Sequence, residues 1–90
     1  MDIDEIRSRI DAVDEKLLEA FLERMQLAEE VAAYKQQNGL PLEDSAREQA
    51  ILQKVRAGSG EYGQYAQEFF EALIKLSKDR QNDMTEGSLS

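Results

Sequence analysis

What most constrains this chain lies between Ile3 and Gln37. Ile3, Ile6, Ile10, Val13, Leu17, Ala20, Arg24, Leu27, Val31 and Tyr34 recur at alternating intervals of three and four. Such a repeat is the a/d seam of a long amphipathic helix. Leu18, Phe21 and Ala28 widen the stripe. Asp2 with Glu5 supplies a cap at its start. Asn38-Gly39, reinforced by Pro41, supplies its stop. At about 1.5 Å per residue the helix spans roughly 50 Å. A compact chain of 90 residues has a radius of gyration of only about 12 Å.

The remaining chain is too short to cover that stripe. A second helix is expected from Asp44 or Ser45, where Ser45-Ala46-Arg47-Glu48 fits a capping box. Its apolar face is Ala46, Ala50, Ile51, Leu52 and Val55, and Gly58-Ser59-Gly60 ends it. A third helix is expected from about Glu61 to Asn82, with Ala66, Phe69, Phe70, Leu73, Ile74 and Leu76 as its stripe. Residues 1–84 then form one domain, and 85–90 a frayed tail. No strand pattern is present. One Pro and five Gly, four of these between residues 39 and 63, favour long helices. The expected fold is all-α, with three helices per chain and a long first helix. A second copy would cover the exposed seam, giving an intertwined homodimeric helical bundle.

Composition removes much familiar chemistry. The chain contains neither Cys nor His, which excludes disulfides, thiol nucleophiles, Ser-His-Asp catalysis and imidazole ligation of a metal. No glycine-rich phosphate loop and no membrane-length apolar run occurs. Met1-Asp2-Ile3-Asp4-Glu5 lacks a signal-peptide pattern, so a cytoplasmic location is expected. The net charge of −8 argues against nucleic acid as a partner. It leaves room for a small anion, because a few clustered cations make a local positive pocket.

Polar residues that interrupt apolar faces carry the functional signal. Arg24 occupies a seam position, where it either sets register or meets an anion. Lys35 follows eleven residues later on nearly the same face, about 16 Å along the axis. The two lean around a small anion, or Lys35 simply offsets the helix dipole. Arg7 lies roughly 25 Å from Arg24 along the helix, so one small ligand cannot touch both within one chain. Arg7 therefore either serves a partner's site or pairs with Asp11 on the surface. Asp44 and Glu48 fit helix-start chemistry, and Glu48 could also accept from a ligand hydroxyl. Arg47 opposes the dipole at a helix N-terminus, a weak hint of another purpose. Ser77 and Gln81 lie four apart on the face of Phe70, Leu73 and Ile74. They need hydrogen-bond partners unless that stripe reaches solvent.

Together these residues resemble the all-helical AroQ class of chorismate mutases, over about Ile6 to Gln81. The densest stretch is Ile6-Arg7 to Ile10-Asp11, then Val13-Asp14-Glu15-Lys16-Leu17-Leu18. Glu23-Arg24, Val31 with Lys35, the linker from Pro41 to Glu48, and Ser77 with Gln81 complete it. All eight positions of the family's polar pocket carry an expected residue type; the glycine-rich loop Gly58–Gly63 is where length would vary. The resemblance implies an intertwined homodimer that converts chorismate to prephenate in the pathway to Phe and Tyr, with no metal and no cofactor. It implies that Arg24, and Arg7 from the partner subunit, bind the two carboxylates. Lys35 and Gln81 would donate to the ether oxygen, while Glu48 and the Asp44 backbone hold the ring hydroxyl. Ser77 and Arg47 would line the carboxylate side. Two rival expectations differ in kind. One is an isochorismate-pyruvate lyase of the same fold, against which the Glu48 carboxylate and the full set of mutase positions weigh. The other is a non-catalytic helical dimerisation or regulatory module, which leaves Arg24, Lys35, Ser77 and Gln81 as coincidences.

Overall fold

The computed structural model describes the backbone of residues 2–89 and the side chains of residues 2–85. Helix α1 covers Ile3–Gln37, α2 covers Ser45–Gly58, a single 3-10 turn covers Gly60–Tyr62, and α3 covers Gly63–Leu89. No strand occurs among the described residues. None of the helices is long and apolar enough to cross a membrane.

The ends of α1 follow from local chemistry. Asp2 Oδ1 accepts from the Glu5 amide at 2.9 Å, which satisfies one orphan donor of the first turn. At the other end Gly39 adopts φ 65°. The Leu40 amide then reaches back to the Lys35 carbonyl at 2.8 Å, and the Gly39 amide to Gln36. This pair of bonds is a Schellman motif, and its left-handed position favours glycine.

One cap and one boundary differ from the sequence expectation. The N-cap of α2 is Asp44, whose Oδ1 accepts from the Arg47 amide at 3.1 Å. Arg47 thus holds the third helical position, and Glu48 falls outside a capping box. Helix α3 runs on to Leu89, well beyond Asn82. No proline interrupts it, and Thr85 Oγ1 donates to the Gln81 carbonyl at 3.0 Å. The tail expected from Thr85 is therefore helical as far as Leu89, and Ser90 lies outside the described residues.

Helix α3 packs against both α1 and α2 and joins them. The apolar residues it buries with them are few: Ala28, Ala32 and Ile74. Phe69 and Phe70 meet edge to face at 5.7 Å. Every residue from Asp2 to Ala20 is exposed, so the first half of α1 projects from the remainder. The radius of gyration is 16.5 Å and the longest extent 54 Å. Both exceed what a compact chain of this length shows.

Candidate active site

Where α1, the linker, α2 and α3 converge, they line an open cavity of about 390 Å³. Leu27, Ala28, Val31, Ile51 and Ile74 give it apolar walls. Arg24, Lys35, Asp44, Arg47, Glu48, Ser77 and Gln81 also line it. Seven of the eight residues singled out in the sequence thus meet in one place. Arg7 does not join them; it lies on the exposed first half of α1. Among the described residues it forms no ion pair with Asp11.

Periodicity accounts for the convergence. Arg24, Ala28, Val31 and Lys35 follow one another at three- or four-residue steps, so α1 turns them toward α3. Ile74, Ser77 and Gln81 do the same on α3. The Asp44 cap starts α2 where its first turn faces the cavity, which delivers Arg47 and Glu48.

Arg24, Lys35 and Gln81 are each held by one internal acceptor. Arg24 NH1 donates to Ser77 Oγ at 2.5 Å, and Ser77 Oγ donates to the Leu73 carbonyl at 2.9 Å. Ser77 is 8% exposed, so this pairing removes the cost of burying a free hydroxyl. Gln81 Nε2 donates to the Ala28 carbonyl at 2.9 Å. Lys35 Nζ donates to the Leu42 carbonyl at 3.2 Å, which ties the linker to α1. These bonds leave capacity over. A guanidinium has five N–H groups, an ammonium three, and a primary amide two.

Sequence reasoning missed one lining residue, Lys78. Its Nζ donates to Glu43 Oε1 at 3.1 Å and to Glu48 Oε1 at 3.3 Å. Those hydrogen bonds to Glu43 and Glu48 raise its pKa above the usual lysine value. A cation beside Ser77 on the site-bearing helix was the available signal. A second cavity of about 610 Å³ shares Arg24, Arg47 and Ile51 with the first and continues along Lys54, Val55 and Phe70. No group of three or more acidic side chains among the described residues could hold a metal ion.

Converging cations, the carboxylates of Asp44 and Glu48 and neutral hydrogen-bonding groups on an apolar floor make a helical pocket whose chemistry suits a small, hydroxylated anion. The chain belongs to the type II chorismate mutase family, whose model matches residues 6–82. It is 35% identical over 85 residues to the chorismate mutase of Methanocaldococcus jannaschii, a match covering 91% of this chain and 86% of that protein. It is 32% identical over 75 residues to the T-protein of Haemophilus influenzae. That match covers 83% of this chain but only 20% of the T-protein. No solved structure gives a significant match.

Proposed function

We propose that this chain is a chorismate mutase, an isomerase that converts chorismate to prephenate in the biosynthesis of Phe and Tyr. The observation that carries the reading is the meeting of Arg24, Lys35, Glu48, Ser77 and Gln81 around one cavity in a member of this family.

The chemistry suits these groups. A Claisen rearrangement breaks one ether C–O bond and forms one C–C bond in a single cyclic shift of electrons. No proton changes hands, and no nucleophile is consumed. The protein must hold the reacting ends together and stabilise charge as it develops. Arg24 takes a carboxylate of the substrate, for which its planar fork is suited. Lys35 and Gln81 donate to the ether oxygen, which gains negative charge as its bond lengthens. Glu48 accepts from the ring hydroxyl, and the Asp44 backbone assists. Arg47 and Ser77 line the carboxylate side. Arg24, Lys35 and Gln81 are each anchored by an internal bond while keeping spare N–H groups. That favours preorganisation, since little reorientation is needed when the transition state forms.

The site is completed by a second copy of the chain in a homodimer, whose Arg7 takes the other carboxylate. Three features support this. Ile3, Ile6, Ile10, Val13 and Leu17 are each more than 40% exposed, an unpartnered stripe too apolar to face water. Tyr62, Tyr65, Phe69 and Leu76 leave a second exposed stripe along the 3-10 turn and α3. The larger cavity opens beside Arg24 and Arg47, where an incoming helix could bring an arginine.

The test is direct. Chorismate and, in a separate assay, isochorismate are added to purified protein, their loss is followed optically, and the products are identified. Prephenate from chorismate is the expected product. Salicylate with pyruvate, formed from isochorismate, would assign the protein to the lyase reaction. No turnover of either compound would leave only the dimerisation module.

A further inference from the structure

Four cations line the cavity, and the chemistry above employs Arg24, Lys35 and Arg47 but not Lys78. Lys78 reaches from α3 to the linker residue Glu43 and to Glu48 in the first turn of α2. Its side chain is 39% exposed, while that of Glu48 is 26% exposed. Glu48 needs an anchor. The cap of α2 is made by Asp44, so helix-start chemistry leaves the Glu48 carboxylate unfixed. A glutamate has several rotatable bonds, and fixing them costs conformational entropy. The Lys78 ammonium supplies that restraint from a neighbouring helix.

We infer that Lys78 is a positioning residue: it clasps Glu48 Oε1 so that Oε2 is presented to the ligand hydroxyl. Its bond to Glu43 holds the linker against α3 in the same act. The inference rests on the mutase reading for what Glu48 binds, and on the geometry alone for the clasp. Helix α3 thereby contributes Ser77, Lys78 and Gln81 to one site, two of them touching substrate and one acting through Glu48. Because a hydroxyl contact persists from bound substrate to transition state, its loss appears mainly in KM.

The experiment compares Lys78→Met, Lys78→Arg, Glu48→Gln and the double variant Lys78→Met/Glu48→Gln in the full-length protein. Lys78→Met is expected to lower kcat/KM about tenfold, chiefly through KM, and Lys78→Arg to recover it within about threefold. In the Glu48→Gln background, Lys78→Met should cost less than about twofold, because the group it positions has been altered. Carbon-13 NMR of glutamate side chains in the ligand-free protein reads the clasp without turnover. Glu48 should populate one rotamer in the wild type and several in Lys78→Met. Equal losses in both backgrounds, or an unchanged Glu48 rotamer in Lys78→Met, would overturn the inference. A wild-type protein that leaves chorismate intact would overturn the mutase reading instead, since the rotamer measurement does not depend on substrate.

Discussion

At the residue scale, Arg24 separates an enzyme from a coiled coil. Its guanidinium donates to Ser77 Oγ and lines the cavity. Arg24→Ala should leave the fold intact, because Ser77 keeps its bond to the Leu73 carbonyl. The same change should lower kcat/KM by about 2–4 kcal/mol of transition-state stabilisation, measured by steady-state kinetics beside a melting curve. A module that only dimerises would gain or lose nothing of that kind. The proposed role of Gln81 sets an expectation for the pH profile. Its amide donates in the same form at every pH, so kcat should lack an acid-only optimum between pH 5 and 8. Gln81→Glu must be protonated to donate, so its rate should fall as pH rises through the carboxylate range, about tenfold per unit above the pKa. A rate-pH profile of both proteins at saturating chorismate checks this. Arg24, Ser77 and Gln81 stood out because they interrupt apolar faces, and Asp44, Arg47 and Glu48 because they open a helix, but only the family resemblance joined them with Lys35 in one place. Lys78 did not stand out, since its partners Glu43 and Glu48 stand 35 and 30 residues away in the chain. Nothing in a local pattern pairs charges so far apart.

At the element scale, the caps decide where the site residues point. Asp44 starts α2, and its side chain holds the Arg47 amide. Asp44→Ala should cost about 1 kcal/mol in a denaturant titration. It should also raise KM, because the first turn of α2 carries Arg47 and Glu48. Helix type and order were readable from periodicity, and the Asn38-Gly39 stop from glycine's ease at positive φ. The start of α2 fell where expected, but the cap passed from Ser45 to Asp44, because both are good caps and only the backbone chooses between adjacent ones. The end of α3 was placed too early for a different reason. The apolar stripe fades after Leu76, but a helix persists without a stripe when nothing breaks it.

At the scale of the whole molecule, the proposed site is shared between two chains, and mixing tests the sharing. Arg7→Ala and Arg24→Ala homodimers should each be nearly inactive. In a mixed dimer, one site joins the intact Arg24 of one chain to the intact Arg7 of the other, while the second site lacks both. Random reassortment should therefore restore about a quarter of wild-type activity, from half the dimers with one working site of two. Recovery absent after verified exchange of subunits would count against the shared site. That the first half of the seam would stay uncovered within one chain was legible from its length against the length of the chain. How a second copy would cross it was not, because a heptad repeat specifies a packed face and leaves the partner's direction open.

The bare first half of α1 has a consequence for how activity scales with amount. If Asp2 to Ala20 find their cover only in another chain, active sites are made by collision. Well below the dissociation constant, dimer concentration follows the square of chain concentration by mass action. Halving the protein should then cut the observed rate about fourfold, with specific activity halved at each twofold dilution. A dilution series monitored for turnover should show this crossover from linear to quadratic. A cell that makes a little less of this protein would lose disproportionately more of the reaction.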